Sequence, residues 1–219
     1  MPTRHPDYAN VVVFDHPLIR HKLTHMRDKV TSHRPFRALI AQIAGLMAYE
    51  VTRGFPVDDV EIQTPMGPDL GRCVGGRITA AITVVPILRA GLGMAEGIME
   101  LMPEARVGHL GMARNEQTLE PEWYLERLPA DLAAGPVVVV DPMLATGGSA
   151  SAAITRLQEV GATDLRLMCL VAAPPGIERV AGDHPGLTVY AAAVDDRLDE
   201  RGFIVPGLGD AGDRMYGTV

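Results

Sequence analysis

V-V-V-V-D-P-M-L-A-T-G-G-S-A-S-A-A-I, Val137 to Ile154, decides the fold. Consecutive valines predict a buried parallel strand, apolar on both faces. They run into Asp141 and then a loop with Thr146, Gly147, Gly148 and Ser149. A helix-forming run, Ala150 to Leu157, follows. Backbone N–H groups at a helix start are unpaired and carry positive partial charge. Glycines let an anion approach that backbone closely, and Thr146 and Ser149 add hydroxyl donors. Asp141, an acceptor-only side chain, suits vicinal hydroxyls or a bound cation instead. The segment therefore asks for a ligand with a phosphate at one end and a diol in the middle, such as a ribose 5-phosphate. It contains no G-x-x-x-x-G-K-[ST] and no lysine, which disfavours a P-loop nucleoside triphosphatase, and no G-x-G-x-x-G follows the strand.

Outward from this segment, strand and helix signals alternate. Strands are expected at Val11–Phe14, Ile78–Leu88, Val107–Met112, Leu165–Ala173 and Leu187–Val194. Helices are expected at His16–Arg27, Phe36–Val51, Gly93–Leu101, the run ending at Val160, and Ile177–Gly182. Val60–Gln63 and Leu70–Val74 read as a hairpin region bounded by Pro65, Gly67 and Pro68. Asn115–Pro136 reads as a long polar loop of the kind that forms lids. The tail from Asp195 is Gly- and Asp-rich with little periodicity. This alternation predicts an α/β fold, an open parallel sheet with right-handed crossovers, in a single domain over residues 1–219. Ligands of such sheets sit outside the carboxyl ends of the strands, at the topological switch point.

Composition narrows the class. The chain has 219 residues, of which 47% are hydrophobic and only 5% aromatic, so its core is aliphatic; the mean hydropathy is +0.11. A net charge of −7 argues against nucleic-acid and anionic-membrane partners. No apolar run approaches a membrane span, and the first residues lack a signal-peptide centre. Cys73 and Cys169 do not suggest a structural disulfide, and a reduced cytoplasm is the expected location.

Three further segments are expected near the strand ends. In V-V-P-I-L-R-A-G-L-G, Val84 to Gly93, Arg89 offers a donor fork suited to diphosphate oxygens. The spacing of Gly91, Gly93 and Gly97 also leaves open a dinucleotide turn, and with it an oxidoreductase. In G-M-A-R-N-E-Q-T-L-E-P, Gly111 to Pro121, Arg114 enters the long polar segment. In G-F-I-V-P-G-L-G-D-A-G-D-R-M-Y-G-T, Gly202 to Thr218, close glycine spacing brings backbone groups toward a ligand, where they can pair with the edge of a flat heterocycle. Other candidates are bland. His21 and His25 lack a completing acid for a metal site, His109 reads as a core or edge histidine, and Ser149 and Ser151 lack a nucleophile-elbow context. Met94, Met99 and Met102 read as core filler.

Together D-P-M-L-A-T-G-G-S, P-I-L-R-A-G-L-G, M-A-R-N-E-Q-T and F-I-V-P-G-L-G-D-A-G-D resemble the uracil phosphoribosyltransferases, a branch of the type I phosphoribosyltransferases. H-P-L-I-R-H-K-L, R-P-F-R-A-L-I and L-V-A-A-P-P-G-I resemble the same family. The resemblance implies a C-terminal hood over the base and a flexible arm added to the sheet. It implies that Asp141, Pro142, Met143, Leu144, Ala145, Thr146, Gly147, Gly148 and Ser149 bind 5-phosphoribosyl 1-diphosphate (PRPP), where most relatives outside this branch have a second acid in place of Pro142. Arg89, Arg114 and Asp210 are implied for catalysis and PRPP contact, and Ile204, Gly209, Asp210 and Ala211 for uracil. The implied reaction joins uracil to PRPP, giving UMP and diphosphate, with Mg²⁺ carried by PRPP. A homo-oligomer and a GTP effector are also implied. The chain departs from the family pattern at Ala113 and Phe203, both tyrosine there, and at Gln117, an acid there. An RNA-binding or nucleotide-sensing regulator on the same scaffold is the alternative; the absence of a basic stripe speaks against it.

Overall fold

Val137–Val140 is buried at all four positions, as a strand apolar on both faces requires. The structure is a computed structural model and describes residues 2–114 and 121–218. It opens with β1 (Thr3–Arg4) and β2 (Val11–Val13), then α1 (Pro17–Arg27) and α2 (His33–Val51). A hairpin, β3 (Asp58–Gln63) and β4 (Arg72–Arg77), leads to β5 (Thr83–Leu88) and α3 (Gly91–Met99). β6 (Arg106–Val107), β7 (His109–Arg114) and β8 (Pro121–Arg127) follow, and one 3₁₀ turn, Leu132–Ala134. The valine strand is β9 (Val137–Val140), with β10 (Met143–Leu144) in the loop after it and α4 (Gly148–Glu159) beyond. β11 (Leu165–Ala172), α5 (Pro174–Asp183) and β12 (Thr188–Val194) complete the alternation. The tail holds β13 (Arg197–Leu198), β14 (Ile204–Val205) and α6 (Ala211–Tyr216).

The main sheet runs β1-β2-β12-β11-β9-β5-β7-β8. Every neighbouring pair from β2 to β7 is parallel, while the outer pairs β1–β2 and β7–β8 are antiparallel. Side chains alternate across the pleat. Val138 and Val140 enter an apolar layer with α1, α2 and α3, and Val137 and Val139 enter one with α4 and α5. Helices thus cover both faces. From β5 the chain steps outward to β7, then returns to place β9 on the other side of β5. That reversal is the switch point, flanked by the carboxyl ends of β5 and β9.

Differences from the sequence expectations have local causes. The strand expected at Ile78–Leu88 begins only at Thr83, where its ladder partner Val137 begins. Gly108 divides the Val107–Met112 strand into β6 and β7. α2 and α5 start three residues early because Pro35 and Pro174 fit a first helical turn, where no intrahelical N–H bond is lost. Of the segment expected as one long loop, Asn115–Glu120 lies outside the described residues; Pro121–Arg127 pairs with β7, Trp123 lying opposite Met112, and Glu126 accepts from Arg156 Nε and Nη2 on α4, each at 2.8 Å. The tail, despite its little periodicity, forms a two-stranded hairpin and a helix. Among the described residues no helix is long and apolar enough to cross a membrane.

Candidate functional site

Asp141 follows the last residue of β9 at the switch point. Its backbone N–H donates to Met168 O at 3.1 Å, and its Oδ1 accepts from Met143 N at 3.3 Å. Burial pushes its carboxyl up to about 7, against the smaller opposing effect of the Met143 N–H. Desolvation disfavours the charged form, so this acid is poised for hydroxyl donors or a cation. The chain then turns through Gly147, at φ 76°, into α4, whose N-terminus no side chain caps. Its first N–H groups remain available to an anion, with the exposed Thr146 and Ser149 beside them.

A cavity of about 240 Å³ opens at the same place. Asp141, Met143 and Ala145 form one wall. Ile204, Gly209, Asp210 and Ala211 form the opposite wall, and Ala90 of the β5–α3 turn joins them. Residues as far apart in sequence as Ala90 and Gly212 therefore border one cavity. Phe203 also lines it, as do Gly202 and Gly212, which the sequence did not single out. Phe203 stands where a tyrosine is the family pattern, so this wall lacks a hydroxyl.

Arg89 follows the end of β5. Its Nη2 donates to Asp213 Oδ1 at 3.1 Å, and its guanidinium lies 5.7 Å from the centroid of the Tyr216 ring. The glycines after it are explained by packing. A Cβ on Gly91 would stand 2.5 Å from Val140 O, one on Gly93 would meet Met215 Sδ at 2.7 Å, and one on Gly97 would collide with the Ala41 backbone of α2. These contacts place α3 against β9 and α2 and remove the reason for reading a dinucleotide turn.

The tail wall is held by residues the sequence reading missed. Arg27 of α1 donates to both Asp195 carboxylate oxygens at 2.7 Å and to Gly207 O at 2.8 Å. Gly207 N donates back to Asp195 Oδ2 at 2.8 Å. Gly207 sits at φ 61°, where a Cβ would run into the Ile204 carbonyl. Arg214 donates to Leu208 O, Met26 O and Asp28 O, and lies 4.3 Å from the Phe36 ring centroid. Asp210 caps α6, its Oδ1 accepting from Asp213 N at 2.8 Å. The arginines and acids are visible in the sequence, but nothing in their spacing pairs them.

Other expected residues distribute as follows. The side chain of Leu144 is buried in the α4/α5 layer, 2% exposed, and Pro142 is buried with its carbonyl accepting from Leu170 and Val171 N–H. Leu144 thus turns its side chain to the core, and its carbonyl accepts from Ala173 N–H at 3.0 Å. Arg114 ends β7; its side chain, like all of Asn115–Glu120 including Gln117, lies outside the described residues. The His21 and His25 rings meet edge to face at 4.6 Å, and among the described residues no cluster of three metal-ligating side chains occurs. Ser151 has a structural role, its Oγ donating to Asp183 at 2.6 Å while the His184 ring approaches the Ser151 carbonyl at 3.0 Å. Both cysteines are free, and Cys169 is fully buried in β11, its thiol pushed up by burial and by the Asp141 charge.

A mostly parallel sheet with an uncapped helix start after an acid at the switch point, and a cavity beside that acid, is the architecture of the type I phosphoribosyltransferases. A purine phosphoribosyltransferase from Pyrococcus horikoshii Ot3 shares the fold at a TM-score of 0.50 and 15% identity, over 72% of this chain and 84% of that one. Within that class the chain belongs to the uracil phosphoribosyltransferase family, whose profile matches residues 12–218. It is 51% identical over 210 residues to a uracil phosphoribosyltransferase of Halalkalibacterium halodurans, covering 96% of this chain and 99% of that relative. The solved structure of the AQ2163 protein from Aquifex aeolicus superposes with a TM-score of 0.88 at 36% identity, over 94% of this chain and 97% of that one.

Proposed function

We propose that the chain transfers the 5-phosphoribosyl group of PRPP to uracil, giving UMP and diphosphate. The observation that carries this reading is the single cavity bounded by both the acid end of β9 and the glycine-rich tail. The loop Ala145–Ser149 receives the 5-phosphate on α4's free N–H groups. Asp141 accepts from the ribose hydroxyls. Arg89, together with Arg114 from the β7–β8 arm, neutralises the departing diphosphate. Pro142, Met143 and Leu144 shape the loop, the first and last chiefly through their backbone. Uracil presents acceptor, donor and acceptor along one edge, and backbone groups from Ile204 to Ala211 read it. Reaction forms the N1–C1 bond, breaks the C1–O bond to diphosphate, and passes the N1 proton to Asp210. Catalysis then comes from orientation and from charge placed where the leaving group develops it.

The donor set fits Mg²⁺ carried by the substrate rather than a protein cage, since Mg²⁺ keeps waters and substrate phosphates and needs few carboxylates. Asp141 and Asp210, the acids lining the cavity, would reach it through its water ligands. When bound it neutralises diphosphate charge. The net charge of −7 gives an RNA-binding role no support. The β3–β4 hairpin supports a homo-oligomer: Ile62, Met66, Leu70 and Val74 are all exposed on it, an apolar set for a second copy to cover. Free cysteines fit a reduced cytoplasm.

The test is diphosphate release from PRPP with uracil, cytosine, adenine, hypoxanthine or orotate, with and without GTP. Release with uracil alone is expected. No release with uracil overturns the proposal, and rates indifferent to GTP remove the effector.

A further inference from the structure

The loop Asp141–Ser149 contains no lysine or arginine, yet a sugar phosphate seated at α4 is a dianion. α5 brings a cation to that place. A Cβ on Gly148 would stand 3.3 Å from Arg179 Nη1 and 3.8 Å from Thr146 Oγ1. Cα–Cβ bonds tilt toward a helix N-terminus, so this point lies at the mouth of α4, bordered by the guanidinium and a loop hydroxyl together.

Backbone contacts fix this placement. A Cβ on Gly147 would meet Gly176 O at 2.9 Å and Arg179 Cβ at 3.2 Å, and one on Gly176 would meet Ala145 O at 2.6 Å. α5 therefore lies directly against the loop. The competing partner of Arg179 is weak: Nε is 3.6 Å from Asp183 Oδ2, an oxygen that already accepts the Ser151 hydroxyl at 2.6 Å.

We propose that Arg179 is a phosphate-binding residue, closing the mouth of α4 over the 5-phosphate of the sugar substrate. The inference rests on the phosphoribosyl-transfer reading of this site and adds a contact outside its loop. A guanidinium fork and a phosphate form charge-assisted, geometrically matched hydrogen bonds. The placement also assigns substrate binding to α5, an element remote from the loop in sequence.

Calorimetry on the full chain with ribose 5-phosphate and with PRPP tests this for wild type, Arg179→Ala and Arg179→Lys. Alanine favours helix and removes only an exposed i,i+4 pair, so the fold is retained. Arg179→Ala is expected to weaken both ligands about tenfold, with Arg179→Lys in between. The difference should shrink between about 0.05 and about 0.5 M salt, as the charge is screened. In turnover the KM for PRPP should rise with it while the KM for uracil moves less than about twofold. Wild-type affinity of Arg179→Ala for both ligands would make Arg179 a surface partner of Asp183 and overturn the proposal. Failure of the wild type to bind either ligand would overturn the phosphoribosyl reading, and Arg179's role with it.

Discussion

Asp141 is the residue whose chemistry depends most on its surroundings. Its carboxyl titrates at about 7 in the fold because burial disfavours its charge. Its folded value is raised above the unfolded one. It therefore costs no stability below about pH 4, and stability falls as pH rises toward 7. Ribose hydroxyls donating to the carboxylate would lower that value again. PRPP binding near pH 7 should then release a fraction of a proton, seen as a binding enthalpy that varies with buffer ionisation heat. The release should vanish at about pH 9, where the group is already ionised, and in Asp141→Asn. An equal release at both pH values would exclude Asp141 as its source. Arg89 makes a second test. Arg89→Lys keeps the charge and loses the fork, so turnover should drop roughly tenfold or more. Steady-state kinetics matching wild type would make Arg89 a turn residue only.

At the scale of elements, the tail depends on a pin from far away in the chain. Asp195 is 6% exposed and holds both Arg27 and Gly207. Asp195→Ala strands a half-buried guanidinium and frees the β14–α6 connection. Removing one partner of such a pair costs about 3 kcal/mol, measurable by denaturant unfolding. Because the freed segment borders the cavity beside Ile204 and Gly209, where uracil is proposed to sit, the KM for uracil should rise more than that for PRPP. A reversed order would place the segment elsewhere in the site. The strands β9, β11 and β12 were legible as short, largely apolar runs, and the cores of the main helices from the period that burial of one face leaves in the sequence. β8 was not, because its polar, Pro-started stretch becomes a strand only by pairing with β7. β13, β14 and α6 are too short for a period, and a neighbour rather than a propensity makes them.

For the whole molecule, the consequence of the shared cavity is base choice. If backbone groups from Ile204 to Ala211 read uracil's acceptor–donor–acceptor edge, cytosine sets an amine against an N–H and an unprotonated nitrogen against a carbonyl. Each unpaired buried group costs on the order of 1–3 kcal/mol, so kcat/KM should favour uracil by at least about a hundredfold. 5-Fluorouracil adds little bulk beside Ile204 and should be accepted. Cytosine competing with uracil at similar concentration would refute backbone reading of the base. The alternating α/β order, the loop–helix mouth after Asp141 and the glycine-rich tail are all readable along the chain, because local periods and backbone requirements are written in consecutive residues. It takes the folded chain to bring Asp141, Ala90 and Ala211 to one space, to pair Arg27 with Asp195, and to set Arg179 over Gly148. Those relations join positions brought together by sheet order and helix packing, and no local spacing encodes a distance across a sheet.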